Sequence, residues 1–265
     1  MLKMNLGIAG LILAAVLSSF AQAANLHRAD EACSKLMLFK ARKVVGWSSP
    51  SQGKTFFFTS GLAIDADGAF KAYHPLDRLG LDALHHAGHP GDWWALITDT
   101  RGRPVLQQEG DPAPGYYVST TSLSDPKNPN WRDPHKFVDS LKIPYIALVP
   151  KALKHARLGD FATVVNLRNG KSSGAIVADV TDASLPLGEG SIALAKALGV
   201  DWNPRTGGVE RPGFFYVVYS GSGNGTPRTT EEILANSQRL FAAWGGFDRL
   251  RTCANARGTL GTSRQ

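Results

Sequence analysis

The chain has 265 residues, of which 43% are hydrophobic, and a formal net charge of +7. This length suits one well-cored domain and is short for two, and no linker or internal repeat divides the chain. It contains no phosphate loop, dinucleotide fingerprint or nucleophile elbow, which argues against the enzyme classes built on those motifs and against a nucleotide cofactor.

The first predicted element is a secretory signal peptide at residues 1–23. Lys3 is its single charge, an apolar run extends through Leu17, and residues 21–23 (Ala-Gln-Ala) match a small-residue cleavage site. A membrane anchor is the alternative, but the apolar run is shorter than the roughly 20 residues that span a bilayer. We therefore expect a secreted protein, extracellular or periplasmic, with one domain at residues 24–265 and no membrane contact after signal removal.

The chain has two cysteines, Cys33 near the start of the mature protein and Cys253 near its end. An exported protein meets an oxidising compartment, which favours a disulfide between them. Such a bridge would close nearly the whole chain into one loop. Two buried thiols are the alternative.

Runs rich in β-branched and aromatic residues, separated by turns of Asp, Gly, Pro and Asn, predict seven strands. Two helices are predicted at residues 191–198 and 231–244, the first N-capped by Ser191 and the second opened by a capping box. The spacing indicates a mostly β (α+β) fold, a single-domain barrel-like mixed sheet with a few peripheral helices, or a sandwich. The predicted strands are residues 55–64, 93–98, 116–119, 143–149, 161–166, 175–180 and 214–220.

Two carboxylates in residues 170–208 indicate a candidate catalytic site. Asp179 lies at the end of a predicted strand, and Glu189 lies in a glycine turn just before the helix at 191–198. This strand-loop-helix unit would bring both side chains to one rim, and a pair of carboxylates is what glycosidases use. The alternative is that Glu189 is a solvated helix cap and Asp179 an ordinary turn former.

Several segments together resemble the fungal-type chitosanases of glycoside hydrolase family 75. The resemblance spans most of residues 57–225, and the order and spacing of the segments make it specific. One departure is Thr181-Asp182, which stands where family members commonly have Gly-Pro. The segments are residues 58–61 (Phe-Thr-Ser-Gly), 64–68 (Ile-Asp-Ala-Asp-Gly), 115–123, 138–140, 143–145, those around Asp179 and Glu189, 206–208, and the strand at 214 with 221–223.

The resemblance implies endo-cleavage of chitosan with inversion at the anomeric carbon, and it maps the catalytic pair onto Asp179 and Glu189. We expect Glu189 to be the acid and Asp179 the base. The dipole of the following helix favours ionised Glu189, so burial against Leu187 and Ile192 would have to raise its pKa. If burial does not do so, the two roles are exchanged.

Asp65 and Asp67 are predicted to contact substrate, because extra carboxylates along a cleft favour a cationic, deacetylated sugar. An ordinary turn is the alternative for this pair. Trp94 and Tyr117, each from an aromatic pair beside a turn, are predicted to stack on sugar rings, although core packing is the alternative for each.

No metal or other cofactor is predicted. The histidines at residues 85, 86 and 89 lack a carboxylate or thiolate at a recognisable spacing, and the Asp-x-Asp-Gly string lacks the later ligands of a calcium loop. The expected partner is chitosan or a related amino-sugar polymer, with no nucleic acid, and the protein is expected to be a monomer.

The charge distribution bears on the substrate. Residues 24–58 and 203–265 each carry a net charge of +4, while residues 59–202 carry −2. The positive surplus favours an anionic polymer such as peptidoglycan. The acidic central segment, which holds the candidate site, favours chitosan. Charges near the site outweigh those farther away than a Debye length of about 8 Å. A non-catalytic polysaccharide-binding protein is the third alternative.

Overall fold

The computed structural model describes Cys33 and residues 36–48, 54–185 and 187–255. The predicted signal peptide at residues 1–23 lies outside these ranges. The strands of the described part are β1 (Leu36–Ala41), β2 (Val44–Ser48), β3 (Phe56–Asp65), β4 (Tyr145–Leu148), β5 (Phe161–Asn166), β6 (Ser172–Val180), β7 (Glu189–Ser191) and β8 (Val209–Val218).

Six of these strands form a closed barrel in the order β3-β7-β4-β6-β5-β8, and β8 pairs back onto β3. The β3–β7 and β4–β6 pairs are parallel, whereas β4–β7, β5–β6, β5–β8 and β3–β8 are antiparallel. The β1–β2 hairpin extends the sheet from β3 outside the barrel. The predicted barrel-like mixed sheet is therefore confirmed.

Alternation along the strands separates two hydrophobic layers. Phe58 and Tyr216 lie in the inner layer and stack with ring centroids 4.5 Å apart. Phe57 and Phe215 lie in the outer layer, where Trp244 packs against both rings. The C-terminal helices cover the outer layer, whereas the long β3–β4 connection contributes more buried apolar residues to the inner layer than to the outer one.

The helices are α1 (Pro150–Leu153), α2 (Ile192–Ala197), α3 (Thr230–Trp244) and α4 (Gly246–Asn255). The two predicted helices are confirmed as α2 and α3. Ser191 caps α2, a capping box starts α3, and Gly245 ends α3 in the left-handed conformation at φ 111°. No helix in the described ranges has both the length and the apolar composition needed to cross a bilayer.

The predicted strands at residues 93–98 and 116–119 are wrong. In the structure these segments form only isolated bridges, such as Leu96 to Ser119 and Leu106 to Tyr117. They belong to the connection of residues 66–144, which contains three single-turn 3-10 helices at Asp77–Leu79, Leu84–His86 and Pro134–Lys136. Their apolar side chains pack within this connection and against the barrel instead of extending a sheet.

Cys33 and Cys253 form a disulfide, as predicted, and both residues are buried in the outer hydrophobic layer. The bond joins the start of the described chain to α4 across 220 positions. It therefore fixes the helical cover against the strands.

Candidate active site

A β-bulge determines where Asp179 points. The β4–β6 register pairs Ile146 with Val177 but then pairs Ala147 with Asp179, so Ala178 is an extra residue. Val177 lies in the inner layer and Ala178 in the outer one, so regular alternation would turn Asp179 into the barrel. The bulge instead places Asp179 on the outer face together with Ala147, because a bulge redirects the side chains around it.

Glu189 reaches the same face from the other side of β4. It pairs with Ala147 of β4 and with Ala63 of β3. Asp179 and Glu189 therefore flank Ala147 from two neighbouring strands, and directly paired residues share a face. Since strands lie about 4.8 Å apart, the two backbones are separated by about 10 Å.

Asp65 and Asp67 complete a group of four carboxylates, which we call the acidic cluster. Asp65 ends β3 two residues after Ala63, on the face that holds Glu189, and its Oδ1 accepts the Asp67 N–H at 2.8 Å. Asp67 Oδ1 accepts the Tyr73 hydroxyl at 2.6 Å. Of the predicted site residues, Asp65, Asp67, Asp179 and Glu189 are thus brought together.

Three of these carboxylates lie close enough to share one cation. One oxygen each of Asp65, Asp67 and Asp179 lies within 4.8 Å of the other two. None of the salt bridges among the described residues involves any member of the acidic cluster. The three oxygens could hold a hard metal ion or a protonated amine.

The two central carboxylates differ in their hydrogen bonds. Asp179 Oδ1 accepts the Ser122 N–H at 3.1 Å, the Ser122 hydroxyl at 2.6 Å and the Val180 N–H at 2.7 Å. Burial raises the pKa of Asp179, and these donors oppose the rise by stabilising its ionised form. The ionised form is therefore better supported at Asp179 than at Glu189.

Glu189 has fewer hydrogen-bond donors than Asp179. Burial raises the pKa of its carboxyl, the Thr181 hydroxyl lowers it by donating a hydrogen bond, and the charges of Asp179 and Asp82 raise it. Its strand ends at Ser191, which caps the short helix α2. The net direction is upward despite the helix dipole, so Glu189 is the better candidate for the protonated partner.

Asp65 and Asp67 are held in the neutral form more strongly than Asp179 and Glu189 are. Burial raises the pKa of Asp65 well above its usual range, and the charges of Glu189 and Asp179 raise it further. The pKa of Asp67 is raised by burial and then by the charges of Asp65 and Asp179. The acidic cluster therefore favours uptake of positive charge, either as protons or as a bound cation.

The aromatic residues predicted to bind sugar take different positions. The Trp94 side chain is 59% exposed, and its Nε1 donates to the His86 carbonyl at 2.9 Å, which fixes one edge of the ring. Tyr117 is half-buried and packs against the inner layer, and burial raises the pKa of its hydroxyl. Trp94 thus presents a ring face to solvent, whereas Tyr117 mainly contributes packing.

The sequence analysis missed a carboxylate–imidazole pair beside Glu189. His86 Nδ1 lies 2.8 Å from Oδ1 of buried Asp82, and the charges of both residues act on Glu189, His86 lowering its pKa. The Arg205 guanidinium donates to the Asp82 carbonyl at 2.7 Å. The four-residue spacing from Asp82 to His86 could have indicated the pair, but nothing local indicated its closeness to Glu189.

The acidic cluster predicts that the protein loses stability as the pH rises. The ordinary pKa values are 3.8 for Asp and 4.5 for Glu, and folding raises the pKa of all four members. Above those ordinary values the folded state holds more protons than the unfolded state, so the free energy of unfolding falls with increasing pH. Melting temperatures measured from about pH 5 to about pH 8 should therefore decline.

Asp65→Asn should raise the melting temperature at neutral pH and flatten this decline, because asparagine stays neutral in the buried cluster without taking up a proton. The matched control is Asp92→Asn, since Asp92 is exposed and lies outside the acidic cluster. Equal pH slopes for Asp65→Asn and the unsubstituted protein would contradict the prediction.

Compared with models of known protein families, the chain matches none of them, and no curated protein matches its sequence.

Proposed function

We propose that this chain is a secreted, endo-acting chitosanase that hydrolyses β-1,4 linkages between glucosamine units with inversion. The observation that carries the proposal is the placement of Asp179 and Glu189 on either side of Ala147, on one face of the barrel. Inverting glycosidases hold their two carboxyl groups about 6.5 to 9.5 Å apart, which leaves room for a water molecule. The resemblance of residues 57–225 to family 75 supports the same conclusion, and the signal-like residues 1–23 support secretion.

In the proposed mechanism Glu189 donates its proton to the glycosidic oxygen as the bond to the anomeric carbon breaks. Asp179 removes a proton from water, and the hydroxide adds to the anomeric carbon from the opposite face. The three hydrogen bonds to Asp179 favour its ionised form, and the burial of Glu189 and its negative neighbours favour its protonated form. These environments support the assignment of Glu189 as the acid and Asp179 as the base.

The preference for a cationic sugar follows from the tendency of the acidic cluster to take up positive charge, as protons or as a bound cation. Asp65 and Asp67 have no ion-pair partner among the described residues. One carboxylate oxygen of each lies within 4.8 Å of an oxygen of Asp179. An ammonium group of glucosamine would supply the missing positive charge, and an N-acetyl group would not. The exposed ring of Trp94 would then stack on a neighbouring sugar.

Thr181 tests the role of Glu189. Thr181→Val removes the hydroxyl that lowers the pKa of Glu189 and keeps the side-chain shape. If Glu189 is the acid, activity is lost as the pH rises through its pKa, so the alkaline limb of kcat/KM should move to higher pH. An unchanged alkaline limb, or one that moves to lower pH, would contradict the assignment.

The function is tested by incubating the purified protein with soluble chitosan and separately with peptidoglycan, and then measuring new reducing ends. We expect products from chitosan, with the anomeric configuration of the first product inverted when followed by NMR. Reducing ends from peptidoglycan alone would favour a hydrolase of that anionic polymer instead, an alternative that the positive net charge supports. Binding to either polymer with no product would favour a non-catalytic protein on the same fold.

A further inference from the structure

One pocket is lined by residues other than those of the acidic cluster. Its volume is about 530 Å³, which is within the range of ligand sites, about 300 to 1,000 Å³. It is bordered by the start of β3, the end of β8 and the segment that joins α1 to β5, and we call it the basic pocket. Its lining includes Leu38, Lys54, Lys154, His155, Arg157 and Asp160.

One edge of the basic pocket is far from the acidic cluster. Lys54 precedes β3, and Asp65 is the last of the 10 residues of that strand. At about 3.3 Å per residue the two ends of β3 lie roughly 30 Å apart. At the other edge of the pocket, the Asp160 carbonyl accepts the Val177 N–H at 2.8 Å, only two residues before Asp179. Only the Lys54 edge therefore lies beyond a Debye length of about 8 Å from Asp65.

The ionisable groups of the basic pocket leave a positive surplus. Lys54, Lys154 and Arg157 face one carboxylate, that of Asp160, which is 0% exposed. Within the described ranges, neither lysine forms a salt bridge. With His155 counted as neutral, the surplus is two positive charges.

Asp160 is held mainly by the backbone and neutralises little of this charge. Its oxygens accept the N–H groups of Arg157 at 3.0 Å, Gly221 at 2.9 Å and Gly223 at 2.9 Å. The Arg157 Nε lies 3.7 Å from Asp160 Oδ1, a longer contact. The Arg157 guanidinium also donates to the Gly221 carbonyl at 3.4 Å. Asp160 therefore fixes the pocket wall and Arg157, and both ammonium groups stay available to an anion.

The remaining wall provides a fixed, partly apolar surface. The His155 ring stacks on Phe39 of the inner layer, with centroids 5.7 Å apart and planes at 19°. Leu38 lies beside it in the lining. A fixed ring and an aliphatic side chain next to several cations suit a ligand that carries both apolar faces and negative groups.

We propose that the basic pocket binds an anionic oligosaccharide through its carboxylate groups. The volume exceeds the needs of one small anion, and two lysines from separate segments can each bind one carboxylate of a chain of uronic acids. Single-stranded nucleic acid is less suitable because its binding sites use several exposed aromatic platforms, and the lining has only the ring of His155, already stacked on Phe39.

The test is calorimetric titration of the purified protein with a tetramer of a uronic acid, with inorganic phosphate and a short single-stranded DNA as comparison ligands. We expect the uronic acid tetramer to bind most tightly and to bind less tightly as salt increases. Lys54→Gln and Lys154→Gln should each weaken binding about tenfold, the loss expected for one charge-assisted hydrogen bond. Lys127→Gln, at an exposed lysine of the β3–β4 connection, is the matched control and should leave binding unchanged.

The proposal is overturned if the uronic acid tetramer does not bind, or if the two pocket variants bind it as tightly as the control does. Phosphate binding as tight as that of the tetramer would show a site for small anions only. DNA binding as tight as that of the tetramer would show only general attraction to polyanions. Either result would overturn the proposal. Hydrolysis of chitosan should be unchanged in both pocket variants, so this test and that of the proposed function have separate readouts.

Discussion

Asp179→Asn should lower kcat on chitosan by about a hundredfold to ten-thousandfold, the range contributed by a general base. Asparagine keeps the Oδ1 acceptor for Ser122 and Val180 but cannot remove a proton from water. The thermal transition should stay at its temperature or rise, because the substitution removes a charge from the acidic cluster. Reducing-end release and differential scanning calorimetry on the same preparation measure the two effects.

Glu189→Gln should produce a loss of similar size, since it removes the proton donor and keeps the side-chain shape. Asp92→Asn is the control, because it changes an exposed aspartate outside the acidic cluster. Full activity in either Asp179→Asn or Glu189→Gln would remove that residue from the proposed mechanism. A loss of activity accompanied by unfolding would be assigned to structure instead.

Removing the disulfide should have the largest effect on stability. Cys33 and Cys253 are 220 positions apart, and closing so long a loop stabilises a protein by up to roughly 5 kcal/mol in the chain-entropy account. The double variant Cys33→Ala, Cys253→Ala should therefore melt about 10 °C or more below the unsubstituted protein. Calorimetry with and without a thiol reductant measures the shift.

The reductant also provides the control for this prediction. It should lower the melting temperature of the unsubstituted protein towards that of the double variant and leave the double variant unchanged. If the reductant leaves both proteins unchanged and they melt at the same temperature, the bridge does not stabilise the folded chain.

The strands of the barrel core could be predicted because their apolar runs are long and continuous, as in residues 161–166, which form β5 as predicted. The sequence analysis missed the hairpin of β1 and β2 because its turn has no Asn-Gly, Asp-Gly or similar dipeptide. Arg42 occupies the turn with φ 50°, where Asn or Gly is expected. Strand β7 was missed because Glu-Gly-Ser has little strand propensity, and it is ordered by β3 on one side and β4 on the other.

For the candidate site, the sequence indicated which carboxylates to consider but not what surrounds them. The contact of Ser122 with Asp179 joins positions 57 residues apart, and the influence of Asp82 and His86 on Glu189 also comes from distant chain. Such contacts depend on how the connection of residues 66–144 folds over the barrel. That connection has little regular secondary structure, so its sequence has no periodic pattern from which its fold could be predicted.

The extra residue at Ala178 makes the length of β6 a functional constraint. Losing one residue there would restore regular alternation and turn the carboxylate of Asp179 towards the barrel interior, with every other amino acid unchanged. Relatives of this protein should therefore tolerate exchanges of side chains in β6 and length changes in nearby surface loops, but not insertions or deletions within the strand itself.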